Sequence, residues 1–460
     1  MRRVIELGKR WSRSRGRDGG PGVGLALLLL VAAGGCASHA ESTKGARSAL
    51  DAGRPREALA ALNEELGVDD AKQVPPEVED DKILFVLDRS TVLQQLDMHA
   101  LSSRDLELAD KQIEVLDFSR GSLDDIAKYM FSDDAGPYQA PAYEKLMINT
   151  LNMMNYLARG DLNGARIEAR RFATMQKFVS EHDSHGLSLS GPGSYLAGFV
   201  FEKSGQAGEA LRYYDEALEL GAFASLAEPV ARLSELDGYR SPRFKQLLEE
   251  HPATPGAKDS ADVLVIVNYG RVPAKIAQRV PIGLALTIAS TYMSPAQQSK
   301  ANYLAAQGLV TWVNFPTLGK PRGEYGVPEF YLDERQLALE GALAVDLEAQ
   351  KAWKEVEGAV VASAITRLIT RVVVGETTRQ ATGGGVVGAL LSLGTQATMT
   401  AADTPDTRSW STLPARVAFG RIRVPVGRHV IRLRAGGTEK RQTVNLRGNG
   451  WTVVTLTVLR

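Results

Sequence analysis

The groups able to do chemistry are one cysteine, six histidines and scattered carboxylates. Cys36 holds the only thiol. It follows an apolar run that begins at Val23, and Gly34 and Gly35 stand directly before it. Arg2, Arg3, Lys9, Arg10, Arg13, Arg15 and Arg17 precede the run. Basic, then apolar, then small is the order of a secretory signal. The run is shorter than the about 20 residues that a membrane span needs. Two histidines, His182 and His185, are three apart and could share a metal on a helix. Gly186 follows at once, and no glutamate at metalloprotease spacing completes the set, so the pair reads as part of a solvated loop. His39 falls in the segment after the cysteine, and His99, His251 and His429 are isolated. Gly191 and Gly193, like Gly383 to Gly385, lack the following Lys-Ser/Thr of a phosphate-binding loop. No Gly-x-Ser-x-Gly elbow occurs. Asp133 and Asp134 sit together in a loop rich in glycine and proline, where a solvated turn is expected. No catalytic, cofactor or metal site emerges from these residues, and the expectation is a protein that is not an enzyme.

The segment Ala33-Gly34-Gly35-Cys36 resembles the lipobox of bacterial lipoproteins. The resemblance implies that the Cys36 thiol carries diacylglycerol and that the chain is cut just before it. Ala37-Ser38 after the cysteine then implies sorting to the outer membrane, facing the periplasm or the cell surface. A lipid anchor of several chains holds firmly, because each buried CH₂ contributes about 0.8 kcal/mol. Residues 1–35 carry seven basic and two acidic side chains, so their removal moves the formal net charge from zero to about −5. That mild acidity gives no reason to expect nucleic acid as a partner. With Cys36 lipidated, no thiol remains for a disulfide, and stability must come from packing.

The elements that would position any site begin with helices. Residues 1–35 read as signal and 36–45 as a short tether. Ala46 to Leu66 gives two helices turning at Gly53-Arg54-Pro55, and Lys82 to Leu116 gives more helix. Helical pairs come next at Tyr143 to Tyr156 with Asn163 to Val179, and at Ser194 to Phe201 with Ala207 to Leu220. Gly198, Phe201, Ala210, Tyr214 and Ala217 resemble a tetratricopeptide repeat, in which small residues let two helices approach and aromatics fill between repeats. Met153, Tyr156, Ala165 and Ala169 suggest an earlier copy, and Ala58 with Leu62 a degenerate first one. The helical repeat domain is therefore 46–255.

Past a linker at His251 to Gly256, Val263 to Val267 reads as a strand buried on both faces. Ile282 to Ala289 reads as a second strand, and Tyr303 to Thr311 as a helix feeding a strand at Trp312 to Pro316. Residues 260–332 form the expected small α/β module. Asp333 to Val374 reads as helix, with Val360, Ala364, Ile365 and Leu368 on one stripe. It leads into an apolar glycine-rich stretch at 383–393, completing a segment 333–402. Period-two alternation with glycine turns over 408–460 implies an antiparallel β-sandwich. The fold class is α+β multidomain, with N-terminal tetratricopeptide-like repeats, a small α/β middle module and a C-terminal sandwich.

Val424 to Leu433, with Pro425, Gly427 and His429, resembles the core of PEGA domains. With Arg408 to Pro414 ahead of it, the chain resembles an uncharacterised family of bacterial envelope lipoproteins with tetratricopeptide-like repeats. The lipobox, the repeat match and the absence of a catalytic set point to a scaffold in the cell envelope, membrane-anchored through its lipid, that binds an envelope protein. Tyr195, Phe199 and Glu202, on the first helix of the clearest repeat, are the candidate contact residues. The alternatives are an envelope hydrolase acting on peptidoglycan or polysaccharide, and a component of an export assembly built around 383–393.

Overall fold

In the computed structural model, residues 39–76, 78, 82–118, 138, 140–182, 186–253, 259–320, 322, 326–381 and 405–460 are described. Cys36, the signal, the 133–134 loop, His185 and the glycine-rich stretch 383–393 lie outside the described residues.

The helical half runs as antiparallel hairpins. The first two helices are α1 (Lys44–Asp51) and α2 (Pro55–Glu65), then come α3 (Lys82–Gln95) and α4 (His99–Phe118). The next pairs are α5 (Ala142–Ala158) with α6 (Leu162–His182), and α7 (Gly191–Lys203) with α8 (Ala207–Leu220). Two shorter helices, α9 (Ala227–Asp237) and α10 (Pro242–Glu250), close the array. The breaks are chemically plain. Gly53 takes φ +69° before Pro55, which opens α2 in its first turn. The Ser241 hydroxyl caps α10 by accepting from Phe244 N at 3.2 Å.

The expected tether 36–45 is not all tether. His39–Ser42 forms a helical turn, and His39, Thr43 and Ala46 are buried. His39 is covered by the Phe85 ring, 4.9 Å between centroids. Small and polar residues suggested solvation there, but the helical array supplies a surface for them to pack on.

The β part interleaves segments that the sequence separates. After β1 (Ser260–Arg271) and β2 (Lys275–Pro281) come helices α11 (Ile282–Ala289) and α12 (Pro295–Ala306). Then come β3 (Trp312–Leu318), β4 (Glu329–Leu332), β5 (Arg335–Leu337), β6 (Glu340–Ala344) and the long helix α13 (Val345–Ala381). The chain ends with β7 (Pro414–Pro425), β8 (Gly427–Ala435), β9 (Thr438–Leu446) and β10 (Trp451–Val458). One sheet has the order β10-β1-β7-β6, another β5-β4-β8-β9, and β2 pairs with β3 alone. β1 is parallel to β10 and antiparallel to β7. Strand pairing thus joins 260–332 to 408–460, and the boundaries drawn between them do not separate two sheets. The cause is β1, a central strand whose two partners both come from the C-terminal segment.

Two further expectations are corrected. Ile282 to Ala289 is helix rather than strand. Ile282, Ala285 and Ala289 make one buried stripe at helical spacing, with Pro281 just outside the first turn. The start of the helix expected from Asp333 is strand, and α13 begins only at Val345. Asp333 and Glu334 take positive φ, +49° and +67°, to turn the β4–β5 hairpin, which helix propensity alone does not foresee.

The core has three parts. Val263, Val265 and Val267 of β1 face Phe330, Ile431 and Leu433 of the second sheet. Leu264 and Ile266, on the opposite face, join the helical core with Val417 and Phe419. This is the strand buried on both faces that the β-branched run implies. A third core joins β2, β3, α11, α12 and the stripe Val360, Ala364, Ile365 and Leu368 of α13.

Candidate functional site

The geometry starts from glycines on α7. A Cβ on Gly198 would sit 2.4 Å from Tyr214 Cδ1 of α8, and one on Gly193 would sit 2.1 Å from Phe172 Cε2 of α6. Only hydrogen at these positions lets the three helices close. Phe201 and Tyr213 stack beside them at 5.3 Å, and Ala210, Tyr214 and Ala217 are buried. This is the interlocked small-and-aromatic packing expected of the clearest repeat.

The three candidate contact residues do not face solvent. Tyr195 and Phe199 are fully buried, and Glu202 is 8 % exposed. The Tyr195 ring lies 4.9 Å from Phe419 of β7, and Phe199 meets Trp451 edge-on at 5.9 Å. The face of α7 that was expected to receive a partner is covered by the chain's own sheet. Their assignment as external contacts is therefore corrected. Large aromatic side chains on a repeat surface suit a docked sheet as well as a foreign chain, and sequence spacing does not distinguish the two.

Glu202 anchors the polar part of this internal interface. It accepts from Arg421 Nη2 at 2.8 and 2.9 Å, Arg232 at 2.7 Å, Lys203 at 2.8 Å and Tyr214 Oη at 2.6 Å. Arg421 also donates to Asp262 at 3.0 Å, and its guanidinium lies 4.9 Å over the Phe199 ring. Burial pushes the Glu202 carboxyl up, but Arg421, Lys203 and Arg232 outweigh it and hold the group well below the usual carboxylate range. Asp262 is held low by Arg421 and Lys203 against its own burial and the repulsion of Glu202. Arg421 and Asp262 come from β7 and β1, 159 residues apart, and no local motif marks them.

A second buried hub brings together His39, Asp88 and Ser411 from three distant segments. Their order does not suit nucleophilic catalysis, which needs the hydroxyl on the histidine base. Here Ser411 Oγ donates to Asp88 at 3.2 Å, and Thr412 donates to Asp88 through its N at 2.9 Å and its Oγ1 at 2.8 Å. His39 Nε2 lies 3.7 Å from Asp88 Oδ2. The carboxylate binds a strap, residues 405–413, to α3. Among the described residues, no group of three or more His, Cys, Asp or Glu is placed to hold a metal.

A recess lies between the end of α8, α10 and β6, with a volume of about 660 Å³. Phe223 and Leu247 give it an apolar floor, while Arg243, Glu250 and His251 stand at its rim. Glu340 of β6 lines it and accepts from Ser225 N at 2.8 Å and Ser225 Oγ at 2.5 Å. Burial pushes the Glu340 carboxyl up. Ser225 Oγ also shares a 2.9 Å hydrogen bond with Tyr195, so recess and internal interface are linked. An apolar floor with charged walls can take an apolar side chain and fix the polar groups around it.

No family model and no curated protein matches the chain. Among solved structures it is weakly similar to "MamA MSR-1 C2", with 17% identity over 46% of this chain and 97% of that chain, at a TM-score of 0.27. A "MamA AMB-1" structure gives 15% identity over 46% and 92%, at a TM-score of 0.28.

Proposed function

We propose that this chain is a lipid-anchored scaffold of the bacterial cell envelope that binds another envelope protein. The anchor is the lipid on Cys36, and the sorting residues Ala37-Ser38 favour the outer membrane. The observation that carries the binding role is the recess beside the last hairpins, with its apolar floor and charged rim. Because the sheet occupies the inner face of α7, the partner meets the protein at the α8–α10–β6 recess rather than in a repeat groove. The PEGA-like stretch 424–433 then serves the scaffold as framework: it spans the end of β7 and most of β8. The hydrolase alternative has no support from the Asp88 hub, where the serine is bound by a carboxylate. The export alternative concerns 383–393 and lies outside the described residues.

The test has two arms. Cys36→Ala should abolish lipid labelling and release the protein from the membrane fraction. Unchanged labelling and fractionation would remove the anchor. Glu250→Arg, on the exposed rim, should reduce crosslinking to envelope proteins in intact membranes without shifting thermal unfolding. An unchanged crosslinking pattern would remove the recess as the contact site.

A further inference from the structure

β2, α11, α12 and β3 pack on one another and on α13, apart from the recess and the Glu202 interface. The composition of this module is unlike the rest of the chain. From Val263 to Gly323 no Asp or Glu occurs, although the protein holds 54 of them in 460 residues. The same stretch carries Arg271, Lys275, Arg279, Lys300, Lys320 and Arg322. Cations with no carboxylate in their own module give it a positive surface, in a chain whose formal net charge is zero.

The outer side of the module is apolar and aromatic as well as basic. α11 buries Ile282, Ala285 and Ala289 in the core that Val360, Ala364 and Ile365 of α13 complete, and this turns Leu284 outward. Leu284 is 52 % exposed, Trp312 43 % and Tyr303 58 %. The backbone brings the first two together. Pro281 stands opposite Trp312 in the β2–β3 register, and Ile282 N donates to Thr311 O at 3.0 Å. Trp312 is thereby held beside the first turn of α11, which carries Leu284. The Arg279 guanidinium lies 5.2 Å over the Trp312 ring. One turn before the end of α12, Lys300 lies 5.7 Å over the Tyr303 ring. Exposed large apolar side chains gathered in this way mark a contact surface. Aromatic rings accompanied by cations suit the headgroup level of a bilayer, where the ring enters the boundary and the charge meets phosphate.

The start of the ribbon is tied to the start of the described chain. His39 lies by Asp88, which holds Ser411 and Thr412 of the strap. Ser409 of the same strap accepts from Lys275 N, the first residue of β2, at 3.2 Å. Cys36 stands three positions before His39, a span of at most about 11 Å. β2 then carries the Trp312 end of the ribbon roughly 20 Å from the strap. Among the described residues no helix is long and apolar enough to cross a membrane, so a lipid contact here is made at the surface. We infer that the outer face of the β2–α11–α12–β3 module docks on a bilayer surface rich in anionic phospholipid. Arg279 and Lys300 meet the headgroup phosphates, while Leu284 and Trp312 enter the boundary beneath them. The inference rests on the anchored reading for a bilayer within reach, but its chemistry lies in residues remote from Cys36 in sequence.

The experiment uses the full chain, wild type and Cys36→Ala, with vesicles of phosphatidylcholine alone or mixed with phosphatidylglycerol. Lipids brominated close to the headgroup quench a tryptophan that enters the boundary. The difference in quenching between each protein and its Trp312→Phe variant reads Trp312 apart from the other tryptophans. That difference should appear on the phosphatidylglycerol vesicles and shrink as salt is added. Arg279→Glu with Lys300→Glu should raise the lipid needed for half of it by roughly tenfold or more. Arg279→Lys with Lys300→Arg keeps the charges and should leave it near the parent value, which separates charge from misfolding. Equal fluorescence loss with and without Trp312, or equal quenching on both kinds of vesicle, overturns the surface. So does an oligomer that Leu284→Glu dissociates while Trp312 stays unquenched, because the patch is then an interface between copies. Lipid labelling that persists in Cys36→Ala removes the anchor and leaves the quenching result standing.

Discussion

Single residues carry more of the electrostatics than their positions suggest. Glu202 looks like a surface glutamate on a repeat helix, where an alanine would cost almost nothing. In the structure it neutralises Arg421, which is itself 2 % exposed. Glu202→Ala therefore leaves buried Arg421 with Asp262 as its remaining carboxylate and several donors unmet, and should destabilise the protein by about 1–3 kcal/mol. Urea unfolding at neutral pH checks this, and a loss below about 1 kcal/mol would mean the cluster is not buried as described. Glu144 behaves in the opposite way. Burial, helped by repulsion from Asp88, raises its pKa to about 7, although Tyr138 and Trp410 N donate to it and Lys275 attracts it. Its folded pKa lies above the unfolded value of about 4.5, so the folded state holds its proton more tightly. That contribution is complete below pH about 4.5 and is lost as pH rises towards 7. Glu168, also raised to about 7 by burial, adds to the same window. Between pH 5 and 7.5 the wild type should lose stability, and Glu144→Gln should reduce that loss by up to about 3 kcal/mol. Identical pH profiles for the two proteins would contradict a buried, proton-holding Glu144.

At the scale of elements, close approach of helices rests on missing side chains. Gly193 on α7 faces the Phe172 ring of α6, with no room for a methyl group between them. Gly193→Ala should cost about 1–3 kcal/mol through overpacking. Phe172→Leu trims the obstructing ring, so the double variant should be less destabilised than the two single losses summed. A double-mutant cycle by denaturant unfolding reads the coupling, and additivity within about 0.5 kcal/mol would show that this contact does not limit the approach. The Gly198–Tyr214 part of this pattern was legible in the sequence because both lie on one helical hairpin, whereas the Gly193–Phe172 contact, between hairpins, was not. The α11 helix was less legible. Its residues are apolar on nearly every side, which suits a strand or a helix, and the stripe packed against α13 settles the matter.

In the whole molecule, the helical half and the sheets share one core. Residues from Ala46 to Leu247 pack in one cluster with Leu264, Ile266, Val417, Phe419 and Val453. Cutting at the apparent linker near residue 255 would expose Tyr195 and Phe199 and would leave Glu202 without Arg421. A fragment covering residues 38–255 should therefore bind a hydrophobic dye and lack the sharp unfolding transition of the full chain. A fragment that melts cooperatively, with no dye binding, would show that the sheet is dispensable to the repeats.

Composition, the basic-apolar-small order before Cys36, the helical hairpins and the buried β1 strand are determined by the sequence, because each depends on periodicity or spacing within some twenty residues. The turns at Gly53, at Gly436 and Gly437 and at Asn449 are likewise local, and all four residues take positive φ. Three other features were decided only by tertiary structure. β1 chose β7 and β10 as neighbours across roughly 145 to 190 residues, the sheet covered α7, and Arg271 at the end of β1 met Asp51 of α1. These features depend on which apolar faces find each other once the chain is compact. An aromatic face on α7 fits a partner protein or an internal sheet with the same side chains. The internal sheet wins here because it belongs to the same chain, so no association entropy opposes its docking.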